Sequence, residues 1–208
     1  RGLDILMALI GLILASPIML ITAIIIKLTS KGPVFYRQVR ITKGGEEFDI
    51  LKFRSMTTDA EVKSGPMIAT KNDARVTTVG KYIRALRIDE LPQLLNVLHG
   101  DMSMIGPRPE RPFFVNQFQE ENPHYYLRHN VQAGITGYAQ VYGKYATDFN
   151  SKLNFDLIYI KQYSMFLDFK ILLQTIKILF DKVSSSGIDE DEKPTVTREE
   201  AEEMNIDV

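Results

Sequence analysis

The chain has 208 residues, 45% hydrophobic and 25% charged, which suits one domain with a real core and excludes a wholly disordered chain. It has no cysteine, so disulfides, iron–sulfur clusters and cysteine-based zinc sites are excluded; this fits a reducing compartment without requiring one. A net charge of −1 conceals an asymmetry: residues 189–208 hold nine acids against Lys193 and Arg198, a net −7, so the preceding 188 residues carry +6 and suit anionic partners such as phosphates, lipid headgroups or nucleic acid.

The chain starts at Arg1 rather than Met and reads as a fragment of a longer protein or a processed chain. From Ile5 to Ile26 there are 22 residues without a charge, long enough for a bilayer-crossing helix and lacking a signal-peptide cleavage site. Ser16-Pro17 interrupts this run. Proline has no N–H and crowds the Ile13 carbonyl, and in lipid that carbonyl needs another donor, which the Ser16 hydroxyl can supply. A helix–break–helix follows, with arms of roughly a dozen residues, each ~18 Å long against a ~30 Å hydrocarbon core. Arg1 precedes the run; Lys27, Lys31, Arg37 and Arg40 follow it. Positive flanks at both ends keep both on the cytoplasmic side, which a re-entrant hairpin satisfies and a straight span does not. A Pro-kinked transmembrane helix is the competing reading.

Val34–Arg40 and Glu46–Met56, joined by Thr42-Lys43-Gly44-Gly45, read as a β-hairpin. Residues 57–80 read as a long loop, functional or mobile. Lys81–Arg87 and Leu91–His99 read as helices, the second with an apolar face of Leu91, Leu94, Leu95 and Leu98 and a cap at Gly100. After a rigid Gly106–Pro112 stretch, helix resumes over Phe113–Glu120. Gly134–Gly137 reads as a turn into a short strand, Tyr138–Tyr142. Phe149–Tyr163 and Leu167–Lys182 read as helices, the latter apolar enough either to lie in a membrane interface or to be buried in the core. The acidic tail reads as solvated, with a marginal helix at Glu199–Met204. The fold class is α+β: mainly helical, with a small β-hairpin or sheet, a re-entrant N-terminal membrane segment and amphipathic interfacial helices. Its divisions are residues 1–30 (membrane helix), 31–183 (catalytic domain) and 184–208 (disordered tail).

The densest chemical signal is Arg87-Ile88-Asp89-Glu90-Leu91-Pro92. An Asp at a helix start is favoured in its ionised form, and an ionised carboxylate can attack phosphorus through an acyl-phosphate intermediate. Glu90 beside it can help hold Mg²⁺, which takes one or two carboxylates plus phosphate oxygens. The plainer reading is an N-cap Asp with a Glu complementing the helix dipole. Arg108 lies between Pro107 and Pro109, which limit the backbone and aim its planar fork; that suits diphosphate recognition, unless it is a solvent-facing residue of a connector. Lys52 and Arg54 share a strand face and can meet an anionic substrate or protect an edge strand. His99, His124 and His129 lack metal-ligand spacing. His99 sits where it offsets a helix dipole.

These stretches together resemble the bacterial sugar transferase family, the monotopic polyprenyl-phosphate phosphoglycosyl transferases, over about residues 1–182. The resemblance is carried by Ser16-Pro17, Gly32-Pro33-Val34-Phe35, Lys52-Phe53-Arg54-Ser55-Met56 and Asp89-Glu90-Leu91-Pro92-Gln93-Leu94. It continues in Gly100-Asp101-Met102-Ser103-Met104-Ile105-Gly106-Pro107-Arg108-Pro109 and in Gly134-Ile135-Thr136-Gly137-Tyr138-Ala139-Gln140-Val141. It implies that Asp89 attacks the sugar-bearing phosphate of a UDP-sugar and releases UMP, and that polyprenyl (undecaprenyl) phosphate then takes the phosphosugar from the enzyme. Asp89 and Glu90 would be the catalytic and Mg²⁺-binding pair, and Ser16-Pro17 the membrane bend. Lys52, Arg54, Arg87, Arg108 and Lys144 are the candidate phosphate contacts. Lys144 departs from the family's frequent arginine, a point charge in place of a fork. The site would lie at the cytoplasmic face of the bacterial inner membrane. By analogy with larger members the donor is UDP-glucose or UDP-galactose, and a homodimer is plausible because twofold oligomers are common. A non-catalytic membrane-surface scaffold is the alternative. A nucleic-acid binder is disfavoured because basic residues are scattered among acids.

Overall fold

The computed structural model describes residues 1–58, 60, 73–143 and 148–180. Lys144, most of the expected 57–80 loop and the acidic tail, with its expected short helix, lie outside the described residues.

Helix α1 (Gly2–Thr29) is a single 28-residue helix with Pro17 inside it, where the sequence predicts two arms. The Ser16 hydroxyl donates to the Ile13 carbonyl at 2.8 Å, the group that proline deprives of its N–H, and this local repair accompanies the helix's continuity. α1 buries only Ala8, Ala15, Thr22 and Ile26, one narrow stripe. At one end Ala8 packs with Phe48, Ile50, Leu94, Val97 and Met102; at the other, Ile26 packs with Phe53 and Ile83. The start of the helix is tied as well. Arg1 donates to the Leu98 and Met102 carbonyls at 3.1 and 3.3 Å, and Asp4 accepts from the Ser103 hydroxyl and the Met104 N–H at 2.9 Å each. The remaining faces expose Leu6, Ile13, Leu14, Leu20 and Ile21. α1 is long and apolar enough to cross a membrane, and only 11% of its most apolar window is buried, unlike the core helix of a soluble domain.

The predicted hairpin forms: β1 (Phe35–Ile41) pairs antiparallel with β2 (Glu47–Phe53), Tyr36 facing Lys52. Gly44 and Gly45 take φ of 73° and 81° in the turn, a region open to residues without a Cβ. α2 (Thr78–Ala85) is capped by Thr77, whose hydroxyl accepts the Gly80 N–H at 2.9 Å. α3 (Gln93–His99) ends, as read, at Gly100 with φ 110°. Its buried face differs from the predicted one: Leu94 and Val97 are joined by Gln93 and Asn96, and Leu95 is 42% exposed. Asn96 can be buried because its amide acts as a strand neighbour to β2, donating to the Asp49 carbonyl at 2.8 Å and accepting from the Leu51 N–H at 2.9 Å.

β3 (Ser103–Ile105) leads to α4 (Pro112–Glu121), then a 3-10 helix over Pro123–Asn130, then β4 (Gly134–Thr136), which pairs parallel with β3. The expected turn at Gly134–Gly137 is therefore partly strand, and the expected Tyr138–Tyr142 strand is a short helix, α5. The strand is possible because Gly134 lies against Gly106: a Cβ there would sit 2.1 Å from the Gly106 nitrogen. α6 (Phe149–Lys161) and α7 (Met165–Phe180) complete the described fold. α7 is neither wholly buried nor wholly exposed. Ile171 is fully buried, packed with Ile105, Val141 and Tyr159, while Phe166, Phe169, Leu173 and Ile176 are exposed.

Candidate active site

The acidic pair stands on a sharp reversal. α2 ends at Ala85, Arg87 takes a left-handed conformation (φ 53°, ψ 21°), and Ile88–Glu90 forms one 3-10 turn. Arg87 is the one described non-glycine residue with positive φ, the kind of strain that clusters at functional sites. Asp89 does not cap α3; the residue before that helix is Pro92, and no side chain caps it. The N-cap reading therefore does not hold. Nor does a helix terminus favour the Asp89 anion. Burial, and next the neighbouring Glu90, push its carboxyl above the ordinary range, with Lys52, Arg84 and Arg108 pulling the other way.

Asp89 opens onto a cleft of about 430 Å³ that is also lined by Lys52, Arg84, Arg87, Glu90, Arg108 and Gln140. Glu90 Oε1 accepts from Lys52 Nζ at 3.0 Å and from Arg108 Nη2 at 2.5 Å. Burial alone would raise the Glu90 carboxyl, but Arg108 and Lys52 outweigh it and hold the group well below the usual range. Burial lowers the Lys52 ammonium despite Glu90, whereas Glu90 raises Arg108 further. Glu90 is thus a fixed anion between two cations. Asp89, by contrast, has no hydrogen-bond or ion-pair partner among the described residues.

Three separate stretches meet here. Lys52 comes from the hairpin, next to Leu51, whose N–H is held by Asn96 of α3. Arg108 comes from a stretch whose four consecutive carbonyls, Pro107 to Glu110, are all taken. Gly134 N donates to the first at 3.0 Å, Arg128 Nη2 to the second at 2.8 Å, Arg40 Nη1 to the third at 2.9 Å and Ile41 N to the fourth at 2.9 Å. The connector reading of Arg108 gives way to a rail that presents its guanidinium to Glu90.

Arg87 lines the cleft as read, but Arg54 does not. β2 stops at Phe53, so the alternation that would put Arg54 beside Lys52 stops too. Arg54 is buried and caps the end of α1, donating to the Lys31 carbonyl and to the Ser30 carbonyl and hydroxyl, the latter two at 3.0 and 2.7 Å. Lys144 falls outside the described residues. Two cleft residues go unread in the sequence: Arg84, hidden on a helix with no motif of its own, and Gln140, placed in a strand that is a helix.

A divalent cation fits the acidic pair. Both bonds to Glu90 end on Oε1, leaving Oε2 and the Asp89 carboxylate open, and Mg²⁺ takes one or two carboxylates and fills its shell with phosphate and water. Among the described residues no group of three or more His, Asp or Glu forms a full cage.

The family model for bacterial sugar transferases matches residues 1–182. This chain belongs to that family. Among curated bacterial sugar transferases it is 52% identical, over 86% of its length, to the UDP-N-acetylgalactosamine-undecaprenyl-phosphate N-acetylgalactosaminephosphotransferase of Aeromonas hydrophila. It is 46% identical, over 83% of its length, to the UDP-glucose:undecaprenyl-phosphate glucose-1-phosphate transferase of Klebsiella pneumoniae. The chain spans only 43% and 38% of those two sugar transferases. It also aligns with 94% of the Bacillus subtilis sugar transferase EpsL, at 38% identity over 95% of the chain.

Proposed function

We propose that this chain is the catalytic part of a phosphoglycosyl transferase that moves a sugar 1-phosphate from a UDP-sugar to undecaprenyl phosphate, the first membrane step of a surface polysaccharide. One observation carries the reading: Asp89, a carboxylate without a partner among the described residues, stands in a cationic cleft beside a carboxylate that already has two. An Asp89 oxygen attacks the sugar-bearing phosphorus, the bond from that phosphorus to the bridging oxygen breaks, and UMP leaves with the electron pair. An undecaprenyl phosphate oxygen then attacks the same phosphorus and frees Asp89, giving undecaprenyl-diphosphate-sugar. Arg108 and Lys52, fixed by Glu90, together with Arg84 and Arg87, face the charge on the phosphoryl oxygens. Asp89 and Glu90 would hold Mg²⁺, which supplies further neutralisation of the diphosphate when bound. The names of the relatives support UDP-glucose or UDP-N-acetylgalactosamine as donor.

The membrane arrangement follows the same reading: α1, one continuous helix with Pro17 inside it, enters the cytoplasmic leaflet without crossing it and keeps both ends on the same side. The support is that one body grips both ends of α1, through Arg1 and Asp4 at its start and through Ile26 and the Arg54 cap at its finish. A straight span would place those ends on opposite sides of the bilayer.

The test is UMP release in nanodiscs containing undecaprenyl phosphate, over a panel of UDP-sugars with and without Mg²⁺. Expected are Mg²⁺-dependent turnover with one donor and a trapped phosphosugar adduct on Asp89 when the lipid acceptor is withheld. Full turnover by Asp89→Asn would refute the covalent step. Vesicle binding without UMP release from any donor would leave the membrane scaffold in its place.

A further inference from the structure

Behind Arg108 lies an ion pair that takes no part in the cleft. Arg128 and Asp156 have side chains only 5% and 3% exposed, and neither lines the site. Arg128 Nε and Nη2 donate to Asp156 Oδ2 at 2.9 and 2.7 Å, Nη1 donates to the Tyr125 hydroxyl at 2.8 Å, and Nη2 also donates to the Arg108 carbonyl at 2.8 Å. Its guanidinium also lies 5.0 Å from the centre of the Tyr125 ring. Burying such a pair is a poor way to gain stability, since an apolar pair of the same volume often does as well. The carbonyl it serves suggests another purpose. Pro107 and Pro109 have no N–H, so this stretch offers few donors of its own and is anchored mainly through its carbonyls. Of the four carbonyl anchors, Arg128 holds the one on Arg108 itself, and it is the one supplied by a fully buried side chain.

We propose that Arg128, oriented by Asp156 and Tyr125, is a positioning residue of the transfer reaction: it fixes the Arg108 backbone so that the Arg108 guanidinium meets Glu90 and the donor phosphate in one geometry. The proposal rests on the transferase reading and adds a residue that touches no substrate. A displacement of about 1 Å at such a group can cost up to about 100-fold in rate.

The experiment is a double-mutant cycle read by UMP release, on the full chain in nanodiscs, with Arg128→Lys, Arg108→Lys and the double variant. Arg128→Lys keeps the charge but loses the fork that spans Asp156, Tyr125 and the Arg108 carbonyl. It is expected to lower kcat about 10- to 100-fold and to move the donor KM less than about threefold. In the Arg108→Lys background the same change is expected to cost less than about threefold, because the group it positions is already altered. Equal losses in both backgrounds, or wild-type kcat in a folded Arg128→Lys protein, would overturn the proposal. Tyr125→Phe, which removes one bond to Arg128, carries the same cycle should Arg128→Lys fail to fold; a smaller loss is expected, again absent without Arg108, and additivity again counts against the idea. If the wild-type protein releases no UMP from any donor, the transferase reading falls and this inference with it. An active wild type with an additive cycle sinks the inference alone.

Discussion

Two charged regions sit back to back on either side of the 107–110 stretch, and they are built on opposite rules. Behind the stretch, Arg128 spends its donors on Asp156, Tyr125 and a carbonyl, almost out of solvent. In front of it, among the described residues, Glu90 takes two cations on a single oxygen, Asp89 takes none, and Arg84 and Arg87 border the cleft. The first arrangement is almost closed to solvent and can only hold a shape. The second has spare capacity on both signs of charge, which is what a site awaiting a diphosphate and a cation requires. Access from the open cleft, more than the presence of charge, separates the working region from its support.

The contrast is most sharply tested by breaking the buried side. Arg128→Met leaves Asp156 buried and unpaired and is expected to destabilise the domain by about 3–5 kcal/mol, seen in denaturant or thermal unfolding in detergent. A wild-type unfolding curve would mean that the pair is dispensable. On the open side, Glu90→Gln should act mainly on rate: turnover falls about 100-fold as Lys52 and Arg108 lose their anion, with a smaller loss of stability than Arg128→Met causes, because this pair keeps more contact with solvent. Arg84→Gln is a smaller step, about tenfold in kcat. Because Arg84 opposes the rise of the Asp89 carboxyl, its removal raises that group further, so the acid limb of the pH–rate profile moves to higher pH. An acid limb that stays in place would separate Arg84 from Asp89.

The smallest expected effect is on the supporting side. His129 is pushed down to about 4 by burial, then by Arg128, so the unfolded chain binds a proton that the folded chain refuses. That stability is complete above the unfolded value of about 6.5 and is lost as pH falls toward 4. Discounted for partial exposure it amounts to about 1–2 kcal/mol. Unfolding free energies of wild type and His129→Gln across this window should converge as the pH drops.

Much of the cleft is legible in the sequence, since Lys52, Arg87, Asp89, Glu90 and Arg108 all line it. Residue chemistry and spaced motifs suffice to name these, although Arg108 is aimed by anchors far along the chain. What is not legible depends on partners far along the chain. Arg54 reads as a neighbour of Lys52 until the ladder ends one residue earlier and the Ser30 and Lys31 carbonyls just after α1 claim it. Asn96 breaks the expected apolar face of α3 because β2 needs a side-chain partner 45 residues away. Gln140 is missed because the strand lies ahead of it, at Gly134–Thr136 where Gly134 packs on Gly106, and its own segment is helix. Even the proline in α1 follows this pattern: the repair by Ser16 is readable locally, while the continuity of the helix is not.

The fully subscribed carbonyls from Pro107 to Glu110 also bear on how this scaffold can be altered. Shifting any one residue of that stretch strains anchors on β1, β4 and the 3-10 helix together, so libraries aimed at new sugar donors should find few viable variants there. The α2 wall, with the exposed Ala85 at its end, has no such row of anchored carbonyls among the described residues and is where, on the proposed activity, donor choice can be retuned one side chain at a time.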